Sequence, residues 1–580
     1  MDTTMADPLR TIAHQLRAPF AAVAGRDADP VVRPSDRADA QVNGSLALAK
    51  EQGANPRDVA QRVVDAFDLS SVCSSWEIAG PGFINLTFAD AFLAQSFVEA
   101  MTDDRLGVAG APAHKTFVVD YSAPNVAKEM HVGHLRSTII GDAIVRMLEF
   151  VGHAVVRENH IGDWGTPFGM LIEHLIDLGE DEAAKELSVG DLDGFYRQAR
   201  AKFDADDAFK DRARNRVVML QGGDADTLRM WKLLVAESAR YFDRVYRTLG
   251  VLLRNDDLMG ESAYNDLLPG VVERLQAAGM LVESDGAQVV FVDGFVNRDN
   301  EPLPLIIRKG DGGYNYATSD LACVIDRVER IGADAMLYVV GTPQSQHLEM
   351  VQAVARKAGW LPESVEMQHV AFGSVLGADR KMLKSRSGET VKLDALLAEA
   401  VDRAAEAVRE KNPELGEAER ATVARQVGLG AVKYADLSSD RIKDYVFDWE
   451  RMLSFEGNTA PYLQYAHARI CSIFRRAGID RAAVRTTTPT MAHAAERALL
   501  MRILQFDTAV WDALDRYSPH RLCTYLYELA SAFSVFYENC PVLRADDDAT
   551  KASRLALCDA TARVLERGLG LLGIESPEQM

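Results

Sequence analysis

Apolar residues recur at helical spacing near both ends of the chain. Leu9, Ile12 and Leu16 lie three and four residues apart between polar residues, which predicts an amphipathic helix at the start. A longer stripe alternates by four and three residues and comprises Leu522, Leu526, Leu529, Phe533 and Phe536. We interpret this second stripe as buried core and draw no functional prediction from it.

A strand, a turn and a helix follow one another from residue 116. Residues 116–121 form a short apolar run that predicts a buried strand, residues 122–125 form a turn, and a helical pattern covers residues 134–150. This succession is how a doubly wound nucleotide-binding sheet begins. Further strand patterns lie at residues 303–308, 336–340 and 369–375.

The patterns divide the chain into four regions, because 580 residues are too many for one hydrophobic core. The first region ends in Gly110-Ala111-Pro112, which is typical of a linker, and the second contains a helical, charged insertion without evident relation to the sheet. We predict a multidomain α/β fold with a Rossmann-like doubly wound parallel sheet, an N-terminal α/β domain and a C-terminal all-α helical bundle. The predicted domains are residues 1–112, 113–390 with the insertion at about 166–300, a helical stem-contact connection at 391–450, and the bundle at 451–580.

Composition and charge narrow the class of protein. A hydrophobic content of 48% and a charged content of 26% are ordinary for a globular enzyme. No apolar run is long enough to cross a bilayer and the start lacks a signal-peptide pattern, so we expect a cytoplasmic protein without membrane contact. The net charge of −21 argues against a polyanionic partner. Residues 451–580, however, carry 15 Lys and Arg against 15 Asp and Glu, which leaves nucleic-acid binding open there.

The six cysteines are scattered, and no two of them form a CxxC pair. They are Cys73, Cys323, Cys471, Cys523, Cys540 and Cys558. This spacing argues against both a zinc site and a disulfide framework. We therefore expect free cysteines in a reducing compartment and no structural zinc.

The sequence HVGH, residues 131–134, stands at the predicted turn from strand to helix. A helix N-terminus offers free N–H groups and the positive end of a dipole, which suits phosphate. Gly133 lets a nucleotide approach the backbone, and His131 and His134 can donate hydrogen bonds to phosphate oxygens as charge develops. Alone, the two histidines are also compatible with metal ligation or an ordinary surface role.

A second motif, KMLKS at residues 381–385, follows about 250 residues later in a polar loop after a strand. Attack at the α-phosphate of ATP needs cations such as Lys381 and Lys384, because negative charge accumulates on the departing pyrophosphate. A solvated basic loop is the alternative interpretation. The combination with HVGH after the first strand of the predicted sheet favours phosphate chemistry.

Together, HVGH and KMLKS resemble the two signatures of class I aminoacyl-tRNA synthetases. The wider string DYSAPNVAKEM at residues 120–130, which leads into HVGHLRST, resembles the arginine-specific family in particular. Four other segments also resemble that family. They are GDWG at 162–165, YVFDWERMLSFEGNTAPYLQYAHARI at 445–470, and QVNGSLALAK and IAGPGFIN in the first region. The resemblance extends from about residue 40 to the C-terminus.

The resemblance implies roles for residues that match the family's motifs. Tyr316 and Asp320 match the residues that hold the guanidinium group of arginine, and Asp120 matches a second carboxylate near that group. Asn125 and Gln344 match the contacts to the α-amino and carboxylate end of the amino acid. A planar, always-charged guanidinium suits carboxylates that accept paired hydrogen bonds, although Asp320 by itself also fits a helix cap.

Two positions depart from the class I pattern. Leu383 stands where the second signature usually has serine. GTPQSQH at residues 341–347 matches the ATP-ribose motif GxDxxxH, with Pro343 in place of the aspartate. Many arginine enzymes lack the second lysine of the second signature and are thought to compensate with a lysine ahead of HxGH, whereas this chain has both, Lys128 and Lys384.

The resemblance further implies a two-step reaction. The carboxylate of L-arginine attacks the α-phosphate of ATP, which brings its own Mg²⁺, and the terminal ribose of tRNA(Arg) then takes the arginyl group. The family places the tRNA elbow on the first domain and the anticodon on the bundle, and it implies a monomer.

Three other classes of protein are alternatives. A cysteine-specific synthetase would show a Cys/His zinc site, which the scattered cysteines argue against. A small nucleotidyltransferase with HxGH would lack the long insertion and the helical tail. An inactive tRNA-binding paralogue is opposed by the intact His131, His134, Lys381 and Lys384.

Overall fold

The computed structural model describes residues 6–165, 167–179, 192–297, 299–310, 312–383 and 391–580, and the chain forms two compact units. The terminal unit consists of Met1–Pro112, Ala404–Tyr434 and Glu450–Met580. The central unit consists of Ala113–Arg403 and Ala435–Trp449. Both ends of the chain therefore belong to the same unit, which no pattern in the sequence predicts.

The N-terminal part of the terminal unit is an antiparallel sheet accompanied by helices. Its strands are β1 (Val32–Arg33), β2 (Ala40–Val42), β3 (Cys73–Ala79) and β4 (Phe83–Phe88), in the order β1-β2-β4-β3. Its helices are α1 (Pro8–Ala24), α2 (Gly44–Gln52), α3 (Pro56–Asp65) and α4 (Asp90–Thr102). Helix α1 begins where the Asp7 carboxylate accepts a hydrogen bond from Leu9 N at 2.8 Å. Leu9, Ile12 and Leu16 are buried on this helix, so the prediction of an amphipathic helix is confirmed.

A parallel sheet organises the central unit. The strands of this unit are β5 (Thr116–Asp120), β6 (Ala154–Glu158), β7 (Val282–Ser284), β8 (Ala287–Val296), β9 (Pro302–Arg308), β10 (Ala335–Tyr338), β11 (Glu366–His369), β12 (Val375–Leu376) and β13 (Tyr445–Val446). Four of them form the parallel sheet, in the order β11-β10-β5-β6. Strand β5 lies between two neighbours and is apolar because both of its faces are covered. The carboxyl ends of β5 and β10 meet at one edge of the sheet, which is where open α/β sheets bind ligands.

Helices follow the strands and fill most of the insertion. They are α5 (Val132–Phe150), α6 (Pro167–Leu178), α7 (Leu192–Ala205), α8 (Asp207–Gln221), α9 (Ala225–Leu249), α10 (Leu268–Ala277), α11 (Tyr316–Glu329), α12 (Ser345–Lys357) and α13 (Leu393–Lys411). The predicted helix at 134–150 is present as α5. Its N-terminus follows directly from the loop after β5, as the sequence pattern predicts.

The end of the insertion differs from the prediction. Residues 282–296 form a hairpin of β7 and β8 rather than helix, and β9 pairs antiparallel with β8 instead of joining the parallel sheet. The hairpin turns at Asp285 and Gly286, whose φ values of 50° and 74° are those of a type I′ turn. An Asp-Gly pair between two strands is a strong hairpin signal. The residues before it are charged and helical in composition, which favours the opposite prediction of a continuous helical insertion.

The remainder of the terminal unit is a helical bundle. Its helices, together with those that join the two units along the chain, are α14 (Glu417–Leu437), α15 (Trp449–Met452), α16 (Ala460–Ala477), α17 (Ala494–Leu504), α18 (Phe506–Asp515), α19 (His520–Asn539) and α20 (Asp548–Leu571). The predicted stripe from Leu522 to Phe536 is buried on α19, as expected for core. Arg497 of α17 donates to both oxygens of Asp39 at 2.7 Å and so ties the bundle to the N-terminal sheet. Of the helices that the structure describes, none combines the length and apolarity needed to span a membrane.

Candidate active site

The loop between β5 and α5 contains three non-glycine residues in the left-handed conformation. They are Ser122, Ala123 and Ala127, with φ values of 77°, 47° and 58°. Such residues cost about 1–3 kcal/mol each and persist only where the surroundings hold them. Ser122 N donates to Ser137 Oγ at 2.8 Å, and Ala123 N donates to Asn159 Oδ1 at 3.0 Å. Strain held by buried partners is typical of a ligand-binding loop.

Helix α9 of the insertion holds the same loop. Ser238 Oγ accepts a hydrogen bond from Ala127 N at 2.9 Å, and the Tyr241 hydroxyl accepts one from Met130 N at 3.1 Å. The insertion is therefore bound to the loop that leads into HVGH, contrary to the interpretation that it has no relation to the sheet. Both contacts join residues 111 positions apart, and no local pattern in the sequence indicates them.

His131 and His134 cap the N-terminus of α5. His131 Nδ1 accepts a hydrogen bond from Gly133 N at 3.1 Å, and His134 Nδ1 accepts one from His131 N at 3.1 Å. The centres of the two rings are 4.0 Å apart. Because Nδ1 is the acceptor in each ring, the neutral form carries its proton on Nε2. Each ring therefore keeps its Nε2–H, which takes no part in the cap, as a hydrogen-bond donor.

Both histidines are held in the neutral form. Burial is the main reason that the pKa of His134 is lowered to about 3, and the neighbouring His131 and Lys128 add to that shift. Burial also lowers the pKa of His131. The two rings thus offer hydrogen-bond donors without charge, so positive charge for a phosphate has to come from other side chains.

The lowered pKa of His134 predicts a loss of stability in mild acid. Because the folded-state pKa of about 3 lies below the usual 6.5, the unfolded chain binds the proton more readily. This contribution to stability is complete above pH 6.5 and declines as the pH falls towards 3. Between pH 7 and pH 5 we expect a loss of about 2 kcal/mol from His134 alone.

Urea unfolding of the wild type and of His134→Asn at both pH values measures this loss. Asparagine keeps an Oδ1 acceptor for the cap but does not titrate, so the variant should lose less stability between pH 7 and pH 5. The histidines away from this cap are common to both proteins and cancel in the comparison. An equal loss in the two proteins would contradict the assignment of a low pKa to His134.

A cavity of about 370 Å³ lies beside the capped end of α5. Four of its lining residues, Asn125, Lys128, His131 and His134, were predicted as site residues from the sequence. The lining also includes residues that the sequence analysis did not single out, which are Glu129, Met130, Asp193, Tyr196, Arg197 and Lys392. The volume is in the range of small-ligand pockets. The structure therefore brings HVGH and the preceding lysine together at one cavity.

Two lysines of this cavity are held by neighbouring side chains. Lys128 Nζ lies 4.5 Å from the centre of the Tyr196 ring, and Lys392 Nζ lies 3.0 Å from the Glu129 carboxylate. The face of an aromatic ring attracts a cation without supplying a formal negative charge, so Lys128 has no counter-charge in this contact. Lys392 shares its charge with a carboxylate. Lys128 is accordingly the better donor of positive charge to an incoming phosphate.

The second motif lies in a turn after β12. Gly377 N donates to Lys381 O at 2.8 Å, and Leu383 N donates to Val375 O at 3.1 Å, so the chain folds back along the strand. Lys381 is exposed at this turn. Lys384 lies outside the residues that the structure describes, and its role stays a prediction.

Tyr316 and Asp320 lie one turn apart on α11, beside His347 of α12. Asp320 Oδ2 accepts a hydrogen bond from His347 Nε2 at 2.5 Å, and the centres of the Tyr316 and His347 rings are 4.7 Å apart. Tyr316 is 60% exposed. The Tyr316 ring and the Asp320 carboxylate thus lie side by side near the surface of the central unit. This arrangement fits a planar cation.

Other carboxylates lie near Asp320. Burial raises the pKa of Glu261; the nearby His160 opposes this shift, and the carboxylates of Asp163 and Asp320 add to it. Asp163 is buried and accepts hydrogen bonds from the backbone and side chain of Ser262. A concentration of acidic groups favours a positively charged ligand at this place.

Asp120, at the end of β5, is buried and ion-paired. Its Oδ2 accepts a hydrogen bond from Arg327 Nη2 at 2.7 Å, and Glu158 Oε2 accepts one from Arg327 Nε at 2.8 Å. Among the described residues, Asp120 Oδ1 and Glu158 Oε1 have no hydrogen-bond partner. A guanidinium of the chain itself therefore occupies one oxygen of Asp120 and leaves the other unpaired. Sequence analysis missed Arg327, although it lies seven residues after Asp320 on the same helix.

Asn125 and Gln344 lie on the two turns at the carboxyl edge of the parallel sheet. Val126 N donates to Gly162 O at 3.0 Å, and a Cβ at position 162 would lie 2.4 Å from Asn125 Oδ1, so a side chain there would displace the Asn125 amide. Gln344 is exposed at the end of a short 3₁₀ turn, Thr342–Gln344, that precedes α12. Because β5 and β10 are neighbours, the turns that follow them lie at the same edge.

Within the described ranges, no three His, Cys, Asp or Glu side chains converge in a way that could hold a metal ion. All six cysteines are buried and free.

Comparison with known families and proteins gives consistent matches along the chain. The model of the class I tRNA synthetase (R) catalytic domain matches residues 97–449, that of the DALR anticodon binding domain matches 463–580, and that of the arginyl tRNA synthetase N terminal domain matches 10–88. The chain is 54% identical over 579 residues to the arginine–tRNA ligase of Thermobifida fusca (strain YX), covering 99% of this chain and 100% of that protein.

Two further matches are also proteins that carry the name arginine–tRNA ligase or arginyl-tRNA synthetase. The arginine–tRNA ligase of Salmonella enteritidis PT4 is 50% identical over 567 residues, with 97% of this chain and 98% of that protein covered. The solved structure of arginyl-tRNA synthetase from Plasmodium falciparum superimposes with a TM-score of 0.85 at 27% identity, covering all of both chains.

Proposed function

The chain belongs to the arginyl-tRNA synthetase family of class I aminoacyl-tRNA synthetases, and from this premise we propose which of its residues perform each part of the reaction. The protein activates L-arginine with ATP, forming arginyl-adenylate and pyrophosphate, and charges tRNA(Arg) with the arginine.

In the first step, a carboxylate oxygen of arginine attacks the α-phosphorus of ATP, and the bond from that phosphorus to the bridging oxygen of pyrophosphate breaks. Negative charge grows on the phosphate oxygens. We assign its stabilisation to the Nε2–H groups of His131 and His134 and to the N–H groups at the start of α5, where Gly133 leaves room for the nucleotide. The observation that carries this assignment is the reciprocal cap, which holds both rings as neutral donors beside one cavity.

Lysines supply the positive charge that the neutral histidines lack. In this proposal Lys128, Lys381 and Lys384 neutralise the departing pyrophosphate, and the cation–π contact of Lys128 supports its part. Magnesium arrives bound to ATP as part of the substrate.

Lys128 and Lys384 are expected to share one task. Removing either lysine alone should raise the activation free energy by less than half of the increase caused by removing both. The reason is that the effects of groups serving the same charge are non-additive. Single-turnover adenylate formation by Lys128→Ala, Lys384→Ala and the double variant measures this. Lys357→Ala, which removes an exposed lysine at the end of α12, is the matched control and should leave the rate unchanged. Strictly additive losses would contradict the shared role.

The amino acid is assigned to the second group of residues. Asp320 and Tyr316 take the guanidinium group, and the unpaired oxygen of Asp120 provides a second carboxylate near it. Asn125 and Gln344 take the α-amino and carboxylate end, which would bring the attacking oxygen to the edge of the sheet where HVGH begins. The acidic surroundings of Asp320 support the choice of a cationic substrate.

The second step joins the product to tRNA. A hydroxyl of the terminal ribose attacks the carbonyl carbon of arginyl-adenylate, and AMP leaves. We propose that residues 1–112 bind the tRNA elbow, that residues 451–580 bind the anticodon, and that residues 391–450 connect the latter to the catalytic domain at 113–390. We further propose that the protein acts as a cytoplasmic monomer without structural zinc.

Charging of bulk tRNA with each of the twenty radiolabelled amino acids in turn tests the substrate. Only arginine should be incorporated, because a site with several carboxylates and a planar contact selects a guanidinium over an ammonium or a neutral side chain. Incorporation of another amino acid at a comparable rate would overturn the assignment of Asp320 and Tyr316 to a guanidinium group.

A further inference from the structure

His347 is bonded to the carboxylate assigned to the substrate. Its Nε2 lies 2.5 Å from Asp320 Oδ2, and the two side chains are 15% and 22% exposed. An ionised carboxylate can only accept hydrogen bonds, so His347 is the donor through Nε2–H. A hydrogen bond from a ring N–H to a carboxylate is stronger than one between two neutral groups. His347 thus restrains one oxygen of Asp320 in a partly buried place.

The His347 ring is itself fixed by its neighbours. The Tyr316 ring lies against it at 4.7 Å between centres, with an angle of 59° between the planes. Gln344 precedes His347 by three residues at the start of α12, so the same helix end presents both. Tyr316, Asp320, Gln344 and His347 therefore form one group, which we call the α11–α12 group. Three of its four members are the residues assigned to arginine.

We propose that His347 is a positioning residue of the arginine site, and not a contact to the ATP ribose as its place in the motif at 341–347 implies. The proposal rests on the assignment of Asp320 to the guanidinium group. A carboxylate has about four sites for accepting hydrogen bonds, and His347 uses one of them. The carboxylate is thereby held in one orientation, with the remaining sites free for a bidentate guanidinium.

The nucleotide side of the site is consistent with this division. The cavity beside the capped end of α5 is lined by residues of the HVGH loop, of α7 and by Lys392, and no member of the α11–α12 group is part of that lining. His347 is already committed to Asp320. It acts on the reaction through that carboxylate rather than on ATP.

Calorimetric titration of the full-length protein with L-arginine and, separately, with ATP tests the proposal. His347→Ala should weaken arginine binding about 10-fold, the usual effect of losing a hydrogen bond to a charged group, and leave ATP binding within about twofold. His347→Gln should restore most of the arginine affinity, because the glutamine amide nitrogen reaches a position close to that of Nε2. His153→Ala is the matched control: this histidine packs on Phe117 and precedes β6, at the opposite edge of the sheet, and its loss should change neither affinity.

A weakened affinity for ATP with unchanged arginine binding would overturn the proposal, and so would two unchanged affinities. Asp320→Asn separates this failure from that of the proposed function. If Asp320→Asn weakens arginine binding but His347→Ala does not, only the inference about His347 is wrong. If Asp320→Asn binds arginine normally, the assignment of the guanidinium group is wrong and the inference falls with it.

A double-mutant cycle gives the sharpest outcome. Because His347 acts through Asp320, His347→Ala should cost less than about twofold once Asp320 is already asparagine. An equal loss in both backgrounds would show that the two residues act independently and would overturn the positioning role.

Discussion

Replacing Asp320 with asparagine is expected to weaken arginine binding by about 10²–10³-fold. The substitution keeps the size of the side chain but removes the negative charge that faces the guanidinium group. With arginine bound the pair is partly desolvated, and removing one partner of such a pair typically costs about 3–5 kcal/mol. ATP binding should be nearly unchanged, because the nucleotide is assigned to the cavity beside HVGH. Calorimetry with each ligand measures the two effects separately.

Asp326→Asn is the matched control for this experiment. Asp326 lies on the same helix as Asp320 and its carboxylate pairs with Arg330 at 2.6 and 2.7 Å. The Arg330 side chain is 60% exposed and that of Asp326 10%, so the loss of this pair should cost some stability but leave arginine affinity unchanged. Normal arginine binding by Asp320→Asn would remove Asp320 from the site. Equal weakening by both variants would indicate a general effect on α11.

Replacing His134 with alanine is expected to slow arginine activation by about 10²–10³-fold, the usual effect of losing a donor to developing charge. The affinity for arginine should barely change, since His134 is assigned to phosphate and not to the amino acid. Single-turnover formation of arginyl-adenylate measures the rate, and calorimetry measures the affinity. A rate within threefold of the wild type would rule out the phosphate role.

Two further variants separate the phosphate contact from the helix cap. His134→Asn keeps an acceptor for His131 N but has no group at the place of Nε2, so it should be as slow as the alanine variant. His493 caps α17 in the same way, with Nδ1 accepting from Ala495 N at 3.1 Å. His493→Ala therefore removes a comparable cap from the terminal unit and should leave activation unchanged. Recovery of the wild-type rate by His134→Asn would assign the effect to the cap alone.

Elements with a strong local pattern could be predicted from the sequence. The stripe on α19 and the strand β5 are examples, because a buried helix face and a doubly covered strand each leave a continuous apolar pattern. The strands β7 and β8 could not be predicted in the same way. Irregular pairing of β8 with β9 breaks the alternation of its side chains, so only the Asp285-Gly286 turn marks the hairpin.

The candidate site was predictable where its residues lie close together in sequence or match a family motif. HVGH and Lys128 meet both conditions. Tyr196 and Lys392 do not, because they reach the cavity from α7 and from residues after the second motif, and the contact of Lys392 with Glu129 joins positions 263 residues apart. The pairing of Asp120 with Arg327 is likewise visible only in three dimensions, and it alters what Asp120 can offer to a substrate.

Ion pairs of the terminal unit join residues that are made far apart in time during protein synthesis. Asp39 pairs with Arg497, 458 residues later, and Arg10 pairs with Asp507, 497 residues later. At about 5–20 residues per second, the ribosome makes these partners about 20–100 s after the N-terminal residues emerge. The strands of both sheets are made before the bundle, whereas these two ion pairs form only after it. Until the bundle emerges, Asp39 and Arg10 therefore lack their ion-pair partners Arg497 and Asp507.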